Sequence, residues 1–278
     1  VGNDTENGGD KSPKATLKFA TYHDQNNSLL NGFWMFIDNM NASGNLELTY
    51  VGGPEAIPAF DQFTAVKNGV IDFAVVPTTY YTAQIPEIIG ADASMLTPAE
   101  EREAGVYDLL NEAHNKYGIQ FIGKATAYIP YYLYVNKEID LNNPSLKGMT
   151  IRVSPVNNNF FKELGASTQV MPASELYTSL ERGVVDGYGW PAAGGSDLGF
   201  NEVTKYKVEP AFYQLADVVI FNLDSWNSLP DEIKNEINQS MAKAENDMEG
   251  EFDSQMEQEA KAYQDADVKI ITLAPEAA

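Results

Sequence analysis

Hydrophobic spacing along the chain alternates between the two-residue period of a strand and the wider period of an amphipathic helix. Thr16 to Tyr22 alternates and predicts a first strand. Ser28 to Met40 carries Leu29, Leu30, Phe33, Trp34, Phe36, Ile37 and Met40 at helical spacing and stops near Ser43-Gly44. Leu46 to Val51 predicts a second strand, and Ile57 to Asn68 a second helix. Thr97-Pro98-Ala99-Glu100 opens a predicted helix to Lys116, with proline at the first helical position. Ile119 to Gly123 and the aromatic run Tyr128 to Asn136 are predicted as separate strands, the latter crossing between lobes. Met149 to Val153 and Ser167 to Met171 are strands; Pro155 to Leu164 and Pro172 to Arg182 are helices. Val208 to Asn222 contains strand, and Val268 to Leu273 is a last one. From Leu229-Pro230-Asp231-Glu232 a helical run extends to about Asp265, thinly apolar in its later half. It is either a long brace or a solvated helix broken at Gly250.

One segment recurs. Gly69-Val70-Ile71-Asp72 leads to Pro77, and Gly183-Val184-Val185-Asp186 leads to Pro191, with glycine, two β-branched residues, aspartate and proline at identical offsets. Each copy follows a predicted helix. The repeat points to two related α/β lobes, each presenting a strand end to a shared cleft. The aspartates are read as starting their strands structurally rather than as ligands.

Composition narrows the function. With 44% apolar residues in 278, the chain can bury real cores, and no apolar run is long enough to span a bilayer. Eighteen basic residues against 40 acidic give a net charge of −22, which disfavours nucleic acid or an anionic membrane as a partner. There is no cysteine, hence no disulfide and no thiolate metal site. Val1 to Ala15 is polar and Gly-rich: a flexible leader, or the tether of a lipoprotein whose lipidated cysteine would precede Val1.

Against that acidic background one cation stands out. Of the three arginines, Arg102 and Arg182 lie in charged helical contexts and are read as solvated, whereas Arg152 lies inside the apolar run Met149 to Val153. A guanidinium keeps its proton, so a core-facing one needs an anion or a dense set of acceptors. A structural ion pair and an arginine awaiting a ligand carboxylate, whose two oxygens match the guanidinium fork, both satisfy that need.

The surrounding motifs favour the ligand. Leu146-Lys147-Gly148 followed by Ile151-Arg152-Val153, then Gly165-Ala166, then Met171, Pro172, Glu175, Tyr177 and Leu180, then Gly183 to Gly187, resembles the solute-binding proteins of tripartite ATP-independent periplasmic (TRAP) transporters. That resemblance implies an α/β, two-lobed periplasmic-binding-protein fold of type II-like build, with a central cleft and a long C-terminal helix bracing both lobes. The expected division is residues 1–15 as leader, 16–128 plus 217–250 as lobe I, and 129–216 plus 251–278 as lobe II. It also implies a periplasmic monomer that carries a small organic acid to transporter membrane subunits, without inserting in the membrane itself.

By the same resemblance Arg152 grips the ligand carboxylate, and Trp190, three residues after the Asp-Gly, contacts ligand. Tyr80 falls in a cleft-lining loop, and the loop after the first strand (Tyr22, His23, Asp24) faces the cleft, where for His23 contact or mere packing are both open. The chain departs from the family pattern twice. Tyr131 stands where binders of sialic acid or dicarboxylates carry a second arginine, which favours a monocarboxylate. Gly189 stands where some keto-acid binders carry a metal-holding glutamate, so no metal or other cofactor is expected. Asp217 is left as a partner for a hydroxyl, an ammonium or an ion, and Tyr80, Tyr131 and Tyr188 as aromatic walls. An enzyme is the weaker reading: His23 and His114 lie apart, and no nucleophile, phosphate-loop or metal-helix motif occurs. A ligand-sensing receptor module would share the same pocket.

Overall fold

The computed structural model describes residues 15–248 and 250–278; the expected leader, save Ala15, lies outside them. Lobe I opens with β1 (Ala15–Thr21), α1 (Asn31–Asn41) and β2 (Leu46–Gly52). It continues through α2 (Gln62–Lys67), β3 (Phe73–Pro77), α3 (Ile89–Asp92), α4 (Pro98–Glu103) and α5 (Val106–Asn115). The long strand β4 (Ile119–Val135) crosses to β5 (Thr150–Val153), α6 (Asn158–Glu163), β6 (Ser167–Val170), α7 (Leu176–Glu181) and β7 (Gly187–Pro191). A second long strand, β8 (Tyr206–Asn222), returns to α8 (Leu223–Ser228), α9 (Asp231–Met248) and α10 (Glu251–Asp265), and β9 (Lys269–Thr272) closes the series.

The nine strands of the described residues form one sheet in the order β2-β1-β3-β8-β4-β7-β5-β6, with β9 added to the start of β8. The two halves mirror each other. In one, β1 pairs parallel to β2 and β3, and β3 runs antiparallel to β8; in the other, β5 pairs parallel to β6 and β7, and β7 runs antiparallel to β4. Helices cover both faces of lobe I, so β3 is buried at every position rather than alternating. Phe73 and Phe221, in register across β3 and β8, stack with centroids 4.6 Å apart in the core that α1 and α9 cover. Ala74 and Ile220 face the opposite core with Phe63 and Leu110.

The repeated aspartates do the same job twice. Asp72 Oδ2 accepts from the Lys18 amide of β1 at 2.7 Å, and Asp186 Oδ2 from the Thr150 amide of β5 at 2.9 Å. Their backbones match as well: the Asp72 amide donates to Lys18 O at 2.8 Å and the Asp186 amide to Thr150 O at 2.7 Å. Each carboxylate thus fixes the register of its neighbouring parallel strand, the structural role read from the sequence.

Three elements differ from the sequence reading. The segments Ile119–Gly123 and Tyr128–Asn136 are one strand, whose pairing to β8 shifts between Thr126 and Ile129 and which carries Tyr128 at φ 64°. The helix predicted over Thr97–Lys116 is two, divided where Gly105 takes φ 77°; Thr97 and Glu100 form a capping box at the first. The C-terminal run is likewise two helices, with Gly250 at the N-cap of α10. Here α9 packs on lobe I through Ile233, Ile237 and Met241, and α10 on lobe II through Tyr263, so the brace is divided between the lobes. Arg102 is also paired rather than merely solvated: its Nε bonds Glu245 at 2.8 Å and its guanidinium lies 4.3 Å over the Tyr107 ring, because α9 brings a carboxylate to α4.

Candidate ligand-binding site

The strand β5 is covered on both faces, so its second-last residue, Arg152, is 1% exposed. Its Nε donates to Met171 O at 3.0 Å, the carbonyl of the Met-Pro turn that follows β6. Among the described residues it forms no ion pair with a carboxylate, and its Nη2 is buried without a hydrogen-bond partner. Trp190 of β7 flanks it, the guanidinium carbon lying 5.6 Å from the indole ring. The hydroxyls of Tyr80 and Tyr131 face the guanidinium closely enough to feel its charge, though neither satisfies Nη2.

Arg152 lines a narrow cavity of about 20 Å³ together with Tyr22, His23, Leu29, Pro77, Thr79, Tyr80, Tyr131, Trp190 and Pro191. The two repeat prolines, ending β3 and β7, stand among its walls, so the repeated strand ends meet here. Outward, Tyr22 and His23 also face a wider vestibule between Pro54 and Glu55 of lobe I and Pro172 to Ser174 of lobe II. The lobes touch beside it: Asn27 Nδ2 donates to Gly194 O at 3.1 Å, and the Ser28 amide to Asp197 Oδ2 at 2.7 Å.

Electrostatics leave Arg152 as the cation of the pocket. Burial, helped by the nearby guanidinium, pushes His23 down to about 3, so its imidazole is neutral at any physiological pH. Burial pushes Tyr80 up to about 12, with Arg152 opposing the shift. His23 packs between Tyr22 and Trp190, at ring separations of 4.5 Å and 5.8 Å.

Of the residues singled out in the sequence, the structure brings Arg152, Trp190, Tyr131, Tyr80 and His23 around one cavity. Tyr188 is not among them, which corrects the expectation that it lines the cleft. It shares a strand face with Trp190 but lies deeper in lobe II, stacked on Tyr134 and bonded through its hydroxyl to Thr204 at 2.7 Å and Tyr263 at 3.0 Å. Asp217 stands one layer behind the wall: Tyr22 Oη donates to its Oδ2 at 2.5 Å. Gly189 faces Tyr131, whose ring would lie 2.9 Å from a Cβ at that position, leaving no room for a side chain. Among the described residues no group of three or more His, Cys, Asp or Glu is gathered for a metal.

Residues 19–278 match the DctP family, described as bacterial extracellular solute-binding protein, family 7. The chain belongs to this family. Its fold is that of the two-lobed receptors of TRAP systems. It superposes on DctP7 of Bordetella pertussis, an extracytoplasmic solute receptor binding pyroglutamic acid, with a TM-score of 0.83 over 94% of this chain and 88% of that one, at 19% identity. A TRAP periplasmic solute-binding protein of Desulfovibrio salexigens with bound orotic acid gives 0.83 over 94% and 87%, at 22% identity. A monocarboxylate 2-oxoacid-binding periplasmic protein of Nostoc is 22% identical over 221 residues, which are 76% of this chain and 60% of that protein. The chain thus spans less than two thirds of that relative's length.

In this family 7 member, sequence reasoning missed Leu29, Pro77, Thr79 and Pro191 as cavity walls, whereas Tyr22 lies in the loop expected to face the cleft. The prolines carried a readable signal, since they close the repeat. Thr79 carried none, because which side of a strand end faces the cleft depends on the register across β8 and β4.

Proposed function

We propose that this protein is an extracytoplasmic receptor that captures a small organic acid with one carboxylate at Arg152, closes its lobes over it, and hands it to the membrane subunits of a TRAP transporter. The observation that carries this reading is the buried guanidinium edge turned to the cavity with no internal carboxylate on it. A buried cation left so is costly unless an incoming anion completes it, and the guanidinium fork suits a carboxylate. One cation and apolar, aromatic walls favour a monocarboxylate over a dicarboxylate. The relatives support the class: pyroglutamic and orotic acids each present one carboxylate, and the Nostoc protein is described as binding monocarboxylate 2-oxoacids. The division into lobes at residues 128–129 and 216–217, a periplasmic location and action as a monomer belong to the same proposal.

A thermal-shift screen of the apo protein against mono- and dicarboxylic acids, sugars and amines tests it. A fitting monocarboxylate at about 100 times its dissociation constant should add about 2.7 kcal/mol to stability. Stabilisation by neutral sugars or amines in preference to every acid would contradict the reading.

A further inference from the structure

Behind the cavity wall, polar groups form a chain whose hydrogens can be counted. Tyr22 is buried, lines the cavity, and gives its one hydroxyl hydrogen to Asp217 Oδ2. Asp217 sits in the middle of β8 at 0% exposure, opposite Pro77 on one side and Thr126 on the other. Pro77 has no amide hydrogen to offer. The Thr126 hydroxyl faces Asp217, but its hydrogen is donated to Leu29 O at 2.9 Å. Asp217 Oδ1 is therefore buried without a donor. Thr126 can serve it only as an acceptor, which suits a carboxyl group that carries a proton.

We propose that the Tyr22–Asp217–Thr126 chain sets the specificity of the site for the substituent that the acid bears beside its carboxylate, by fixing whether Tyr22 accepts or donates a hydrogen bond. This inference rests on the organic-acid reading of the Arg152 pocket. With Asp217 ionised, the Tyr22 hydrogen is committed to Oδ2, and its oxygen offers only a lone pair to the cavity. The site then takes a ligand hydroxyl or N–H and rejects an oxo group. With Asp217 protonated on Oδ1 toward Thr126, the same sense holds. With the proton on Oδ2, the bond turns round, Asp217 donates to Tyr22, and the tyrosine hydrogen is released to a ligand oxo group. The acid form thus accepts both classes and the anion only donors.

The groups around Asp217 do not blur this behaviour. Burial pushes Asp217 up to about 7, with Asp92 of α3 adding to the rise and the Tyr22 hydroxyl, which donates to it, opposing it. The other charged or titratable neighbours of this wall are Tyr80, Tyr131, Arg152 and His23. His23 at about 3 and Tyr80 at about 12 titrate outside the working range, and Tyr22 and Tyr131 are raised from the ordinary tyrosine value. Asp92, pushed up to about 6, titrates inside it, but its carboxylate bonds Tyr213 rather than a cavity-lining side chain.

Calorimetric titration with matched pairs, pyruvate with lactate and 2-oxobutanoate with 2-hydroxybutanoate, at pH 5.5 and pH 8.5 tests the proposal. The ratio of oxo-acid to hydroxy-acid dissociation constants should rise about tenfold with pH, the scale of one mismatched buried hydrogen bond. Taking the ratio removes the general repulsion between ionised Asp217 and any carboxylate. Tyr22→Phe and Asp217→Asn should each hold the ratio constant within about twofold, while Asp92→Asn should keep the shift. A wild-type ratio that does not change with pH overturns the inference alone and leaves the Arg152 reading standing. Failure of every acid to bind at either pH overturns both.

Discussion

Arg152 differs from the other partly or fully buried cations in what meets it. Arg102 finds Glu245 and Lys124 finds Glu101, each at 2.8 Å, whereas Arg152 is given the Met171 carbonyl and the faces of aromatic rings. The ion pairs hold α4 to α9 and β4 to α4; the unpaired arginine lines a cavity. Tyr131 completes the contrast, since an uncharged hydroxyl faces the guanidinium where a second cation would demand a second anion. Its placement depends on Gly189: in Gly189→Ala the new methyl group must displace the Tyr131 ring, 2.9 Å away. We expect that variant to lose about 1–3 kcal/mol in chemical denaturation and to bind its acid several-fold more weakly. A Gly189→Ala protein with wild-type affinity would remove Tyr131 from the site. Arg152 and Trp190 were legible because their motif is local. Tyr188 was misjudged because strand parity gives the face of the sheet but not the depth along the strand, and Arg102 because its partner is supplied from far along the chain.

Among the elements, the paired strand ends explain why the cavity lies where it does. Asp72 and Asp186 each tie the start of a parallel strand, so Pro77 and Pro191 finish at corresponding heights on either side of the crossing strands. Replacing either aspartate by asparagine weakens a charge-assisted bond to an amide. Each change should cost on the order of 1.5–3 kcal/mol in equilibrium unfolding, with similar values in the two lobes. A large asymmetry would mean that the repeat is one of sequence but not of mechanics. The α/β order and the repeat could be read from hydrophobic period and punctuation alone. The merging of two predicted strands into β4 could not, because Gly123 to Tyr128 breaks the alternating pattern and is held in the sheet only by β8. Nor could the short 3₁₀ entries to α1, α2, α6 and α7 be told from continuous helix, since both keep the same face apolar over so few residues.

Over the whole molecule, buried titratable groups of opposite kinds limit stability from both sides of pH. Burial holds His23 and His114 down to about 3 and about 4, so they fold neutral; the stability they support is complete above about 6.5 and is lost as pH falls below it. Burial holds Asp217 and Asp92 up to about 7 and about 6, so they fold protonated. Their contribution is complete below about 4 and is lost as pH rises through those values. The net charge of −22 adds repulsion in the same alkaline direction. Thermal unfolding should therefore be most resistant near about pH 5–6. Asp217→Asn should unfold at a higher temperature than wild type at pH 8 and at nearly the same temperature at pH 4; the reverse order would contradict a protonated Asp217. The proposed closure of the lobes stands or falls with Arg152 as the ligand's anchor. The most direct test is calorimetric titration of wild type and Arg152→Ala with a monocarboxylate that stabilises the wild type, with circular dichroism to show that both are folded. The account predicts a loss of about 2–5 kcal/mol in binding free energy in a variant that remains folded; undiminished affinity in folded Arg152→Ala would contradict it.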